Sequence, residues 1–150
     1  MPARDSYHNA VKAALIADGW AITHDPYRVE YGGKDVYVDL GAEREAFDAV
    51  LGAERDTTRI AVEIKTFTGP SVLGDLQQAL GQYLLYRSWM RCTEPARRLY
   101  LAVDTETALG VFDEAFGQIV AADAEMQLIV VDVVMERIVA WRHFPATDEP

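Results

Sequence analysis

The sequence predicts an α/β sandwich, a mixed central sheet flanked by helices. Three observations carry that expectation. Strand-type apolar runs alternate with helical stretches in the coarse order α-β-β-β-α-β-α-β-β. Residues 59–67 (RIAVEIKTF) form the clearest strand, followed by a Gly69-Pro70 break and a long helix with one apolar face. The chain has 150 residues, 50% of them apolar, which suits a single domain over 1–150. A domain of that size buries roughly 70% of its unfolded surface and needs no disulfide or structural metal.

The elements follow in order. Asp5 and Ser6 offer caps for a first helix that runs to about Asp18 and stops at Gly19. Tyr7, Val11, Ala14 and Leu15 recur on it at helical spacing. Trp20 and Ile22 alternate with Ala21 and Thr23 as a short strand. Asp25-Pro26 marks a turn, and residues 28–31 make a second extended piece. Gly32-Gly33 is a hairpin-type turn before the strand Val36-Tyr37-Val38-Asp39-Leu40, which Gly41 ends. Residues 42–58 are polar and read either as a short helix or as an irregular connection. After the strand at 59–67, Ser71 caps a helix over about 71–91 with Val72, Leu76, Ala79, Leu80, Tyr83, Leu84 and Met90 on one face. Residues 99–103 are a buried-type strand. Thr105 caps a helix to about Phe116, and residues 117–125 hold a further helical turn. Strands at 128–132 and 138–141 close the chain around Met135-Glu136-Arg137.

Charge narrows the functions. Fourteen basic and 24 acidic residues give a net −10, with a pI near 4.6. Taken whole, this argues against a protein that coats DNA or an anionic membrane. The acid is uneven, however. Residues 1–100 hold 12 basic and 14 acidic residues, a net −2, and residues 101–150 hold 2 and 10, a net −8. A phosphate-handling site remains open in the first part, and the acidic last third, with Asp123, Glu125 and Asp132, suits a partner-facing surface. Cys92 is the only cysteine, so there is no disulfide framework and no CxxC metal pair. No apolar run approaches the roughly 20 residues that span a bilayer. The first residues, Met-Pro-Ala-Arg-Asp, lack a signal peptide's apolar stretch, so a reducing cytoplasm is expected.

The chemistry concentrates at Asp39 and Glu63-Ile64-Lys65. Strand residues alternate faces, so Glu63 and Lys65 share one, about 6.6 Å apart along the strand. Ala61 and Phe67 lie on the same face. If the preceding strand is adjacent, Asp39 comes beside Glu63, since neighbouring strands lie about 4.8 Å apart. Two carboxylates that close repel, and a divalent cation relieves the repulsion. Mg²⁺ prefers one or two carboxylates plus waters and a substrate phosphate. A lysine beside it can orient or deprotonate the attacking water and stabilise charge on the phosphate. The set suits metal-dependent phosphodiester hydrolysis. Taken alone, Glu-x-Lys also fits an ordinary exposed ion pair worth at most about 1 kcal/mol.

The order helix, three strands, helix, strand with Asp…Glu-x-Lys resembles the restriction-endonuclease-like PD-(D/E)XK nuclease superfamily. More closely, the chain resembles the XisH family of fdxN element excision controlling factors. The matching stretches are RDSYHNAVK at 4–12, DGWAITHDP at 18–26, YGGKDVYVDLGAE at 31–43, IAVEIKTF at 60–67, DLQQALGQY at 75–83 and LYLAV at 99–103. The resemblance implies a restriction-endonuclease-like sandwich in a factor for site-specific DNA excision, paired with a small XisI-like partner. A separate recombinase would then perform the recombination. It also implies Mg²⁺ or Mn²⁺ held by Asp39 and Glu63, with Lys65 as the catalytic lysine. Many superfamily nucleases carry a carboxylate on the first helix. Here that helix offers Tyr7, His8 and Lys12, which puts a two-metal arrangement in doubt. Gln82 and Tyr86 match a Gln-x-x-x-Tyr pattern of some superfamily nucleases.

Several readings stay open. Gln78 and Gln82 share a helix face one turn apart and could orient water or meet a backbone phosphate; they also suit a plain helix surface. Tyr83 and Tyr86 read as core or rim aromatics. His8, Lys12 and His24 could approach the substrate, or serve structure only. Cys92 reads as a helix-end packing residue. Arg87, Arg91, Arg97 and Arg98 could meet phosphates or simply suit a helix C-terminus. Three functions compete: a DNA endonuclease, a catalytically weak or inactive nuclease fold acting through its partner, and the nuclease half of a toxin–antitoxin-like pair. A homodimer would suit two-strand cleavage.

Overall fold

A computed structural model describes residues 4–47 and 55–145. Helix α1 (Arg4–Ala17) starts at Arg4, so Asp5 and Ser6 lie inside its first turn rather than before it. Its stripe Val11, Ala14 and Leu15 is buried. Strand β1 (Ala21–His24) follows, then the hairpin β2 (Tyr27–Tyr31) and β3 (Lys34–Val38). Gly32 and Gly33 make its two-residue turn, both with positive φ, as a turn of this twist requires.

The expected strand 36–40 is two strands. β3 ends at Val38 and β4 (Leu40–Phe47) begins at Leu40, with a bend at Asp39. Nor does Gly41 end anything. It pairs with Ala61 inside β4. A β-carbon there would lie 3.0 Å from the Cβ and Nδ1 of His24, so the glycine answers a close approach and not a strand end. β4 then continues through the first part of 42–58, and β5 (Arg55–Ile64) opens at Arg55. The segment 48–54 lies outside the described residues. β5 stops at Ile64, three residues short of the expected end.

Helix α2 (Val72–Thr93) is capped as expected, the Ser71 hydroxyl accepting the Gly74 N–H at 3.0 Å. β6 (Arg98–Asp104) leads into a short turn, α3 (Thr105–Thr107), capped by Asp104 rather than Thr105. A π-helical turn (Ala108–Phe112) and α4 (Ala115–Asp123) stand where a helix to about Phe116 and a further turn over 117–125 were expected, so the break falls earlier, at Asp113-Glu114. Phe112 and Gly117 are both buried, five residues apart, a spacing out of phase with one helix. β7 (Gln127–Asp132) and β8 (Arg137–His143) form the closing hairpin.

The large sheet runs β1-β4-β5-β6-β7-β8, with β5, β6 and β7 parallel and the other neighbours antiparallel. Two apolar cores lie on its faces. α2, the hairpin and the π-helical turn cover Ala61, Leu101 and Val103. α1 covers Ile60, Val62 and Ala102. The alternation along β5 and β6 thus sends neighbouring residues to opposite helical layers.

Candidate functional site

Asp39 is the single residue between β3 of the small sheet and β4 of the large one. Leu40 pairs with Val62, which sets Asp39 against Glu63 one step along the ladder. Backbone amides fasten the two carboxylates. The Asp39 N–H donates to Glu63 Oε1 at 3.2 Å, and the Ile64 N–H donates to Asp39 Oδ2 at 2.8 Å. Glu63 is 8% exposed, an unusual degree of burial for a glutamate.

Lys65 lies just past β5, but its N–H still donates to the Ala102 carbonyl at 3.0 Å. The ladder therefore holds its backbone, and the pleat sends its side chain toward the α2 layer with Glu63. There Lys65 Nζ donates to Gln78 Oε1. Gln78 and Gln82 flank the buried stripe of α2, each one residue before Ala79 or Tyr83.

Asp39, Glu63, Lys65, His8, Gln78 and Gln82 line one cleft of about 340 Å³. It lies at the carboxyl ends of the parallel strands β5 and β6, where open sheets of this kind present ligands. α1 reaches it because Tyr7 and His8 stand one turn N-terminal to the Val11 contact with the sheet. Tyr7 lines the cleft too, and its hydroxyl donates to Asp104 Oδ2 at 3.1 Å. Burial first, and then the Asp104 charge, push the Tyr7 hydroxyl up, so it stays a donor.

His8 Nε2 and Asp25 Oδ1 are 2.8 Å apart, and Lys12 Nζ donates to Asp25 Oδ2 at 2.9 Å. The Lys12 hydrogen bond holds the Asp25 carboxyl below the usual carboxylate range; burial opposes it and His8 reinforces it. Lys12 itself does not line the cleft. It acts one step back, on the carboxylate that steadies His8.

Other expectations land elsewhere. His24 packs edge-on against Tyr27 with ring centroids 5.1 Å apart and does not line the cleft. Cys92 is exposed rather than packed. Tyr83 and Tyr86 are buried in the core, and the Tyr83 hydroxyl donates to the Leu99 carbonyl at 3.1 Å. The four arginines line a separate cavity at the other end of the sheet. The acidic last third is not one patch: Asp123 and Glu125 precede β7 and Asp132 ends it. Of the residues the first helix offers, Tyr7 and His8 line the cleft and Lys12 does not. Sequence reasoning missed Asp25 as a brace. Nothing in the sequence marked Asp25 beyond its turn.

Among the described residues, no three or more His, Cys, Asp or Glu side chains gather as a metal cluster. Among the described residues that line the cleft, Asp39 and Glu63 are the acidic ones. No helix among the described residues is long and apolar enough to cross a membrane.

Comparison with known proteins places this arrangement. The family profile described as XisH protein matches residues 1–139. The crystal structure of an XisH family protein from Nostoc punctiforme is 35% identical, covers 91% of this chain and 98% of its own, and superposes with a TM-score of 0.80. That of an fdxN element excision controlling factor protein from Anabaena variabilis is 36% identical, covers 92% and 98%, and gives the same TM-score of 0.80. No curated protein matches the chain. With a family profile over residues 1–139 and relatives at 35% and 36% identity of the same overall fold, the chain belongs to the XisH family.

Proposed function

We propose that this chain is a metal-dependent DNA endonuclease of restriction-endonuclease-like fold, acting in the cytoplasm in the controlled excision of a DNA element. The observation that carries the reading is the Asp39–Glu63 pair, fastened by backbone amides beside Lys65 at the head of one cleft. The printed name of the Anabaena relative, an excision controlling factor, supports the DNA setting.

The donor set fits Mg²⁺ or Mn²⁺, which take one or two carboxylates and complete their shell with water and phosphate oxygens. Asp39 and Glu63 would hold the ion. When bound, it supplies Lewis-acid polarisation of the phosphate and a more acidic water. The chain's own groups do the rest. Lys65, its amine steadied by Gln78, orients the attacking water and stabilises charge on the phosphate. Gln82 and His8 contact flanking phosphate oxygens, with Asp25 and Lys12 fixing the imidazole. The water oxygen adds to phosphorus as its proton passes to solvent, the bond to the departing sugar oxygen breaks, and that oxygen takes a proton from solvent.

Supercoiled, linear and branched DNA incubated with Mg²⁺ or Mn²⁺, with and without a small XisI-like protein, tests this. Nicking or cleavage should appear, vanish with a chelator, and vanish in Lys65→Ala without loss of fold. No cleavage of any substrate in either metal overturns the reading.

A second reading rests on exposed apolar side chains of α2 and α4, namely Leu84, Leu85, Phe116 and Ile119. These suit a protein partner. The chain would then act chiefly through an XisI-like protein, as an inactive nuclease fold or as the toxic half of a pair. Toxicity of the chain expressed alone, relieved by the neighbour, would identify the pair; binding without cleavage or toxicity would identify the inactive fold. A homodimer fits any active form, one site for each DNA strand.

A further inference from the structure

At the end of the sheet remote from the carboxylates lies a cavity of about 410 Å³. Arg87 and Arg91 of α2, Arg97 and Arg98 at the head of β6, Gln127 and His143 line it. Among the described residues that line it, four are arginines and one, Glu125, is a carboxylate, in a chain whose net charge is −10; Arg97 is also paired outside the lining with Glu94 and Glu43. Dipole matching at a helix end explains one or two such charges, not a cavity drawn from four elements.

Two of the arginines are set in place by the fold. The Arg97 side chain is 3% exposed. Its Nε donates to Glu94 Oε2 at 2.9 Å and its Nη1 to the Ile60 carbonyl at 2.8 Å. Arg87 donates to the carbonyls of Ala124 and Glu125 and lies over the Tyr83 ring. The other two, Arg91 and Arg98, are exposed and make no ion pair among the described residues. Gln127 adds an independent observation. Its N–H is held by the Tyr83 hydroxyl at 3.0 Å, while its buried side-chain Oε1 has no hydrogen-bond partner among the described residues. Buried polar atoms are seldom left so. A half-turn of the amide exchanges that acceptor for an N–H donor.

We propose that this cavity is a second anion site that takes a phosphate group, with Arg91 and Arg98 as its binding charges and Arg87, Arg97 and Gln127 as its preset wall. Guanidinium groups match phosphate oxygens in paired hydrogen bonds, which favours phosphate over a simpler anion. The site is separate from the carboxylate cleft. Gln78 and Arg91 are 13 residues apart on α2, which is about 20 Å along the helix. The proposal therefore stands whether or not the cleft cleaves DNA.

The test is a calorimetric and NMR titration of the whole chain at fixed low salt. The probes are inorganic phosphate, a mononucleotide, and a short DNA duplex with and without 5′-phosphates. Phosphate should bind the wild type, with shifts at the amides of Arg98 and Gln127. Arg91→Gln/Arg98→Gln should weaken it at least tenfold while melting at the wild-type temperature. Asp123→Asn, outside both cavities, should leave the shifts at Arg98 and Gln127 unchanged. A stronger response to the phosphorylated duplex assigns the source as a DNA end, and an equal response to the mononucleotide assigns a free phosphate ester; both support the site. Absence of phosphate binding to the wild type, or undiminished binding to the double variant, overturns it.

Discussion

Two buried charges stand at opposite ends of the central strands, and the fold treats them differently. Arg97, 6% exposed, is satisfied within the chain by Glu94, the Ile60 carbonyl and the Tyr27 ring 4.6 Å from its guanidinium. Glu63, 8% exposed, is held by a backbone amide beside a second carboxylate and faces a cleft. A buried charge that is matched costs little and fixes local geometry. Two carboxylates set side by side at a cleft are the pattern of a functional site.

The largest effect should come from the matched charge. Arg97→Met removes the donor to the Ile60 carbonyl and the counter-charge of Glu94, which keeps only the Tyr27 hydroxyl, and should cost about 3 kcal/mol in urea unfolding. A cost near zero would erase the distinction from Glu63. Next in size is an alkaline effect at the same end. Burial, then the Glu94 hydrogen bond and charge, push the Tyr27 hydroxyl up to about 12. An unfolded tyrosine ionises near pH 10. The folded state therefore keeps its full advantage below pH 10 and loses it as pH rises toward 12, by up to about 2–3 kcal/mol. Denaturation curves between pH 9 and 12 should show that loss in the wild type and a flatter limb in Tyr27→Phe.

At the carboxylate end the effect on stability is smaller. Glu63→Gln keeps the shape of the side chain and the acceptor for the Asp39 N–H, and should change stability by at most about 1 kcal/mol while ending metal-dependent cleavage. A loss as large as that of Arg97→Met would mean that the Glu63 charge serves the fold rather than the cleft. The smallest effect belongs to the partly exposed brace. Asp25→Asn should cost about 0.5 kcal/mol at neutral pH and low salt. Because the folded carboxyl sits below its ordinary range, this contribution is present above the ordinary carboxylate pKa. It disappears as pH falls through the lowered value. Thermal melts of variant and wild type should converge in acid and at high salt.

Much of this architecture was legible. The alternation of residues 60–65 put Glu63 and Lys65 on one face, and the hairpin signal at Gly32-Gly33 carried the chain back toward them. The cap at Ser71 set α2, and with it Gln78 and Gln82, over the strand end. What the sequence hid was mostly long-range. Gly41 reads locally as a strand end, yet it answers His24, 17 residues earlier, packed on the neighbouring strand. The Arg97 partners come from the loop, β5 and the hairpin, so its burial has no local pattern. The restart at α4 depends on which residues the core demands, and helical propensity alone continues the helix. The acidity of the last third is real in composition, but β7 separates its members in space.

Because a single residue, Asp39, joins β3 to β4, chain length at that joint is fixed to the residue. In a pleated chain one added residue is half a repeat. An insertion between Val38 and Leu40 would turn the Asp39 side chain from Glu63 or rotate the whole hairpin off α2. The tip at Gly32-Gly33, 6–7 residues away, opens on empty space and carries no such parity. The hairpin can therefore be lengthened or tagged at its tip, but its root admits neither gain nor loss.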